Sequence, residues 1–242
     1  SATIDVEKFS SHFNDAGIIA VEGRTFPVET RYSDINLTND ERELNPIEHI
    51  VESVASLVMK TAKDTEQNND ILVFLSSERE IRETAKNLRK KKFTNSKILP
   101  LYSRLPQSEQ NKIFQKHRSQ RIILSTNVAE TSITVPGIKY VVDTGLARIS
   151  RYSFQSKVQR LPIERVSQAS ANQRKGRCGR VEEGICVRLY SEDDFNARPL
   201  YTDPEITRTN LAAVILRMLS LDLGDVFDFP FVDKPETKSI NE

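Results

Sequence analysis

Short apolar runs alternate with stretches of helical periodicity along most of the chain, the order of elements that builds a parallel sheet covered by helices. The runs Ile18–Val21, Ile71–Leu75, Ile98–Tyr102, Arg121–Ser125, Tyr140–Asp143 and Gly184–Tyr190 predict strands. Pro46–Thr65 predicts a helix, because Ile47, Ile50, Val51, Val54, Leu57 and Val58 fall on one face. Ser77–Lys90 and Ser108–His117 carry the same period, and the polar run Lys63–Asp70 reads as a surface loop.

One segment breaks the alternation. Ala147–Val166 has Tyr152 and Phe154 among basic residues, alternates weakly and has no helical stripe, so it predicts an extended β-hairpin standing off the sheet. After Pro204 the pattern turns helical, with Leu211, Val214, Ile215, Met218 and Leu219 on one face and Gly224 as a stop. A domain boundary is therefore expected near Asp203. Residues 1–203 would form one α/β domain, and 204–242, too few for a complete domain, the beginning of a second.

With 242 residues the chain can bury a sizeable core, and no apolar run approaches the roughly 18 to 20 residues of a membrane span, so a soluble protein is expected. It opens Ser-Ala-Thr-Ile-Asp, without an initiator Met, a basic leader or the apolar centre of a signal peptide, and this start reads as a cut within a longer chain. Cys178 and Cys186 have no Cys or His neighbours at metal-ligand spacing, which argues against zinc and fits reduced thiols in a cytoplasm. Formal charge is nearly balanced at +1, but its distribution is not. Between Arg148 and Arg180 nine Arg or Lys residues face the single acid Glu164, a local excess of eight positive charges that would attract phosphates.

Within that stretch, Gln173-Arg174-Lys175-Gly176-Arg177-Cys178-Gly179-Arg180 is the strongest candidate for chemistry. Gly176 and Gly179 would let the backbone turn tightly beside a ligand, and arginines three apart on a helical turn project to one side. Planar guanidinium groups suit a γ-phosphate and the charge that develops as it is transferred. Composition alone leaves this reading level with a solvated basic helix end. A second candidate is the loop Thr126–Gly137, whose small hydroxyl and amide residues follow strand Arg121–Ser125 at the carboxyl end where open α/β sheets bind ligands. The plainer alternative is a polar loop in which Thr126 or Ser132 caps a helix.

The segments STNVAETSITVPGIKYVVDTGLAR (125–148) and QRKGRCGR (173–180) resemble motifs V and VI of the DEAH-box RNA helicases, a superfamily 2 group. Ser1-Ala2-Thr3 resembles motif III. Ile71–Leu75 with Glu78–Ile81 resembles motif IV, and Leu99–Ser103 with Leu105 and Glu109-Gln110 resembles the segment after it. With ARISRYSFQSKVQRLPIE (147–164) and GICVRLYSEDDF (184–195), the resemblance covers essentially the whole chain and is nearest to bacterial HrpA-type members.

The resemblance implies a RecA-like second motor domain, a projecting β-hairpin near the point of strand separation, and the start of a winged-helix region. It implies that Arg177 and Arg180 face the triphosphate, that Gln173 helps hold the γ-phosphate and the attacking water, and that Ser132 senses the γ-phosphate. Gly176 and Gly179 would complete the nucleotide side, and Phe114 falls where the family places an aromatic against adenine, although beside Ile113 it could equally be core. Thr126 and Asn127 would lie along single-stranded RNA, with DNA left open. Arg151, Tyr152 and Phe154 could hold phosphates and stack on a base, or the two aromatics could pack the hairpin against the helical region.

Three positions depart from the family pattern. Ser76-Ser77 replaces a Pro-Gly pair, leaving the shape of that turn open. Cys178 replaces Ala, where a thiol among arginines is a candidate for acidification and a small buried filler is the plainer reading. Pro136 stands where many eukaryotic members have an acid near the ribose, so no ribose contact is assigned there. Ser191-Glu192-Asp193-Asp194 reads as a helix N-cap rather than a metal site.

The chain contains neither the glycine-rich P-loop with its Lys nor an Asp-Glu-x-His segment, so ATP and Mg²⁺ would find their main ligands on a first RecA-like domain of the same protein, and this chain alone is expected not to turn over ATP. A stand-alone nucleic-acid-binding or regulatory module is the alternative, which a stop codon and start site directly upstream of Ser1 would favour and an upstream P-loop and DEAH segment would oppose. A metabolic α/β enzyme would need a nucleophile or cofactor fingerprint, and neither is present.

Overall fold

The structure is a computed structural model that describes residues 5–19, 26–33, 45–61, 69–153 and 155–241. The motif III resemblance at Ser1-Ala2-Thr3 and the aromatic Phe154 lie outside these. Two compact units are formed, residues 22–147 with 165–200, and residues 1–21 with 148–164 and 201–242. Among the described residues no helix is long and apolar enough to cross a membrane.

The larger unit is a six-stranded, wholly parallel sheet between helices, the fold class expected from the alternation. Its elements in chain order begin with strand β1 (Val28–Tyr32), helix α2 (Pro46–Thr61), β2 (Asp70–Phe74), α3 (Glu78–Lys90) and β3 (Ser96–Leu101), with α1 (Val6–His12) preceding them in the other unit. They continue with α4 (Gln107–Gln110), β4 (Gln120–Ser125) and β5 (Ile138–Asp143), and, beyond an excursion through β6 (Leu146–Arg148), β7 (Arg151–Ser153), β8 (Val158–Arg160) and β9 (Ile163–Arg165), with α5 (Gln168–Lys175), β10 (Gly184–Arg188) and α6 (Glu192–Asn196). The strand order is β1-β10-β5-β2-β4-β3.

Every residue of β2 is buried, as a central strand covered on both faces must be. Its side chains alternate between two cores. Ile71 and Val73, with Ile122 and Leu124 of β4, meet α2 and α3 through Val54, Leu57, Ile81 and Leu88. Leu72 and Phe74, with Ile123, Val141, Cys178 and Cys186, pack with Ile113, Ala129 and Val135. This second face is where the candidate segments lie.

Four expectations change. Ile18 and Ile19 are exposed and not in a strand, while Ala20 and Val21 lie outside the described residues. The edge position is taken by β1, which pairs in parallel with β10 from Val28 opposite Gly184 to Tyr32 opposite Arg188. The apolar and polar alternation of Val28-Glu29-Thr30-Arg31-Tyr32 is the signal that was passed over. The helix expected over Ser108–His117 is one α-turn, α4, followed by a 3-10 turn at Asn111–Phe114, with the chain extended at Gln115. Of the loop expected over Lys63–Asp70, residues 63–68 lie outside the described residues, and Asp70 is a fully buried strand residue.

The open question at Ser76-Ser77 is answered by a capping arrangement. Ser77 Oγ accepts from the Glu80 amide at 3.3 Å, and the Glu80 carboxylate accepts from the Ser76 amide and hydroxyl, each at 2.7 Å, so the first turn of α3 is closed without a glycine. Ser191 caps α6 in the same manner, accepting from the Asp194 amide at 3.0 Å, as expected.

In the smaller unit, β7 and β8 pair in antiparallel register, Arg151 opposite Arg160, as the predicted hairpin requires. Its base is held by the Tyr152 amide donating to the Arg208 carbonyl at 2.8 Å and by Arg208 Nη1 donating to the Ser150 carbonyl at 3.0 Å. Helices α7 (Ala212–Ser220) and α8 (Thr237–Asn241) follow, with Gly224 at a positive φ after α7.

Both cysteines are buried free thiols. Burial raises both, Cys178 to about 12, so the neighbouring basic residues do not acidify it and it acts as a filler. The folded chain is expected to leave both thiols unreactive toward a disulfide reagent at mildly alkaline pH and to release two on unfolding in guanidinium. A fast-reacting thiol in the native protein would contradict this packing.

Candidate functional site

Helix α5 carries Gln173 and leads into Arg177 and Arg180. Ser167 starts it, its hydroxyl accepting from the Ser170 amide at 3.2 Å, and Gly176 ends it with an ordinary φ of −68°. Gly176 therefore contributes no unusual backbone angle. Gly179 does, at φ +72°, and a Cβ there would come within 2.4 Å of Val28 and 2.8 Å of the Phe26 carbonyl. The arginine-bearing turn is thus pressed against the edge strand, and the Phe26 amide donates to the Gly179 carbonyl at 2.7 Å.

The arginines of this segment have different surroundings. Arg174 is wholly buried: its Nε donates to Glu130 Oε2 at 2.9 Å and its Nη1 to Asp143 Oδ1 at 2.7 Å, and its guanidinium lies 4.9 Å from the Phe74 ring centre. Burial works against its charge, but the carboxylates of Asp143 and Glu130 outweigh it and hold the group above the usual arginine value. Ser170 donates to the other Glu130 oxygen at 2.5 Å, and Asp143 also accepts from the Gly145 amide and the Tyr190 hydroxyl, both at 2.9 Å. One ionic network thereby joins the loop after β4, the end of β5, β10 and α5.

Arg177 is half-buried and Arg180 exposed. Each touches only a backbone carbonyl, at 3.4 Å from Gln173 and Gly176 respectively, and neither is ion-paired among the described residues. Burial and then the like charge of Arg180 lower the proton affinity of Arg177, against a smaller opposing pull from Glu130. Neighbouring guanidinium groups of this kind have the chemistry to meet an anion with several oxygens, such as a phosphate.

The Thr126–Gly137 loop borders this segment through Glu130. It opens with a 3-10 turn at Asn127–Ala129 that buries Ala129 and leaves Asn127 and Ser132 exposed and Thr126 partly so. Thr126 makes no side-chain cap, so capping does not account for it. On the same sheet face Ile113 is fully buried while Phe114 is 51% exposed, which separates the anchoring residue from the available ring. Burying a side chain of this size contributes about 1.5–3 kcal/mol, so a half-exposed phenyl ring is the group with contact surface still to give.

The basic stretch is less uniform than its sequence suggests. Of its nine cations, Arg165 pairs with Asp194, Arg174 with Glu130 and Asp143, and Arg151 with Glu164 and Asp203. The six without an ion pair among the described residues divide between the units: Lys175, Arg177 and Arg180 in the larger, and Arg148, Lys157 and Arg160 in the smaller. Arg151 is in the smaller unit and already engaged, and Tyr152 beside it is partly buried. Sequence reasoning assigned no role to Glu130 or Asp143. An acid closing the otherwise apolar run Tyr140-Val141-Val142-Asp143 is a signal for a buried ion pair. Among the described residues no group of three or more His, Cys, Asp or Glu converges on a metal position.

Residues 49–182 match the model for the helicase conserved C-terminal domain. The chain is 60% identical over its full length to the ATP-dependent RNA helicase HrpA of Escherichia coli (strain K12), and 58% identical to the HrpA homolog of Haemophilus influenzae. It spans 18% of the length of each of these relatives. Among solved structures it resembles the Escherichia coli DEAH/RHA helicase HrpB with a TM-score of 0.85 and 28% identity, covering 100% of this chain and 30% of that one.

Replacing Arg174 by Met would leave Asp143 ionised and unpaired in the core, and is expected to destabilise the folded chain by roughly 3–5 kcal/mol in urea unfolding, with part of the loss recovered by adding Asp143→Asn. A cost below about 1 kcal/mol would show that the network does not hold the site together.

Proposed function

The chain belongs to the helicase conserved C-terminal domain family, and from that premise we propose that it is the second motor domain of an ATP-dependent RNA helicase of the DEAH-box type, closing a nucleotide site whose phosphate cradle lies on a first RecA-like domain of the same protein. One observation carries this reading: Arg177 and Arg180 stand together without carboxylate partners among the described residues, next to an arginine that has two.

In this proposal Arg177 and Arg180 meet the triphosphate when the two domains close, neutralising charge that builds on the γ-phosphoryl oxygens as the bond to the β-phosphate breaks. Gln173, one position before the buried Arg174, orients the attacking water. Ser132 reports on the γ-phosphate through the loop that Glu130 ties to α5. Phe114 offers its ring to the base. Mg²⁺, held by residues of the first domain, would supply further neutralisation of the β- and γ-oxygens.

Thr126 and Asn127 would follow the backbone of single-stranded RNA at the carboxyl ends of the strands, with Arg148, Lys157 and Arg160 adding positive charge along the hairpin. Hydrolysis would remove the anion that bridges the two domains and let the cleft reopen, so that alternate grips on RNA produce stepping. The division into a motor domain ending near Asp203 and a winged-helix start beyond it is part of the same proposal.

Arg180→Ala in the intact helicase is expected to lower RNA-stimulated ATP hydrolysis by about a thousandfold or more while RNA affinity is largely retained. An unchanged hydrolysis rate would refute the assignment.

A further inference from the structure

A second buried arginine in the sheet is placed to organise the nucleotide side of the site from behind. Asp70 opens β2 and Arg121 is the second residue of the adjacent β4. Asp70 is fully buried and Arg121 is 2% exposed. Asp70 Oδ1 accepts from the Arg121 backbone amide at 2.7 Å, and Oδ2 accepts from Nε at 2.8 Å and Nη2 at 2.6 Å. The plane of the guanidinium is held by the two bonds from Nε and Nη2 to the same carboxylate oxygen, while the backbone amide occupies the other. His117 flanks the pair, with Nδ1 2.8 Å from the Ser119 carbonyl and Nε2 3.3 Å from Asp70 Oδ2.

The free edge of the guanidinium reaches two other segments. Nη1 donates to the carbonyl of Ile113, and Nη2 to the carbonyl of Pro136 at 2.8 Å. The first carbonyl belongs to the peptide bond that leads into Phe114. The second closes the Thr126–Gly137 loop. Gly137, at φ +76°, passes over the ion pair, its Cβ direction pointing to Asp70 at 3.6 Å.

The buried Ile113 carbonyl needs this donor. The 3-10 turn ends at Phe114 and the chain extends at Gln115, so a continued helix does not supply an amide to Ile113. A carbonyl buried without a donor costs free energy comparable to a lost hydrogen bond. Arg121 makes the departure from helical geometry tolerable, and it ties that departure to the end of the loop.

We propose that Arg121 is a positioning residue for the base-binding side of the nucleotide site, holding Phe114 and the Thr126–Gly137 loop at a fixed separation through the Ile113 and Pro136 carbonyls. This rests on the reading of Phe114 as the platform for the base. Arg121 touches neither base nor phosphate, so it acts through where Phe114 stands relative to the end of the loop. The interaction it governs is present in ground state and transition state alike, which separates it from Arg177 and Arg180.

A double-mutant cycle in the intact helicase tests this. Arg121→Lys keeps a charge opposite Asp70 but lacks the fork that serves three acceptors together. Phe114→Ala is expected to raise the KM for ATP about tenfold, the scale of a base stacked on an aromatic ring. Arg121→Lys should raise it about fivefold with kcat little changed, the pattern of lost uniform binding. The double variant should be no worse than Phe114→Ala alone. If Arg121→Lys leaves KM unchanged, lowers only the melting temperature, or adds fully to Phe114→Ala, the proposal fails while Phe114 keeps its role. If Phe114→Ala has no effect on KM, both fail. Should Arg121→Lys not fold, the neutral pair Asp70→Asn with Arg121→Gln, which leaves no ion unpaired, takes its place in the cycle with the same expected outcome.

Discussion

The site depends on a guanidinium that never reaches solvent. Arg174 sits in the core between Glu130, in the loop after β4, and Asp143, the last residue of β5. Removing two or three charges from water is unfavourable unless each finds a partner at hydrogen-bond distance, so the geometry of loop, strand end and helix is specified together or not at all. Because Arg174 faces inward, the helix must present Arg177 and Arg180 from the turn beyond it. Their lack of carboxylate partners among the described residues is the complement of that internal pairing.

Arg121 and Asp70 repeat the principle elsewhere in the sheet, with carbonyl groups in place of a second acid. In both clusters a buried arginine braces segments that have little regular structure of their own. A loop such as Thr126–Gly137, with one short 3-10 turn, cannot hold its exposed hydroxyl and amide groups by backbone ladders. It is held instead by what its carboxylate and one of its carbonyls bind underneath.

Much of this was readable from the sequence. The alternation of apolar runs and helical stripes located the sheet strands β2, β3, β4, β5 and β10, the cap at Ser191 follows from residue type, and the order of the motifs along the chain pointed to the family. Other features were not readable for physical reasons. Strand β1 is short, carries two charged residues and lies at a sheet edge, where half-exposed positions dilute the apolar signal. Where the helix expected through His117 stops, the Ile113 carbonyl is taken by Arg121, which strand β4 and Asp70 hold in place, and local propensity carries no information on that. The basic stretch was overcounted for the same reason: a charge in sequence is silent about its partner, and Glu164, Asp194, Asp203, Glu130 and Asp143 are brought to it only by folding.

The neighbours at one edge of the sheet set an order of events during synthesis. β1 emerges first among the six strands and β10 last, yet they pair, Val28 against Gly184. Until the ribosome has released the chain beyond Arg188, β1 has no ladder to join, and closing so long a loop is among the slow steps of a parallel sheet. The turn through Gly179 leans on Phe26 and Val28, so the arginines it carries acquire their final setting only when this last edge closes. A nascent chain therefore completes its central strands well before the turn that carries Arg177 and Arg180 is braced.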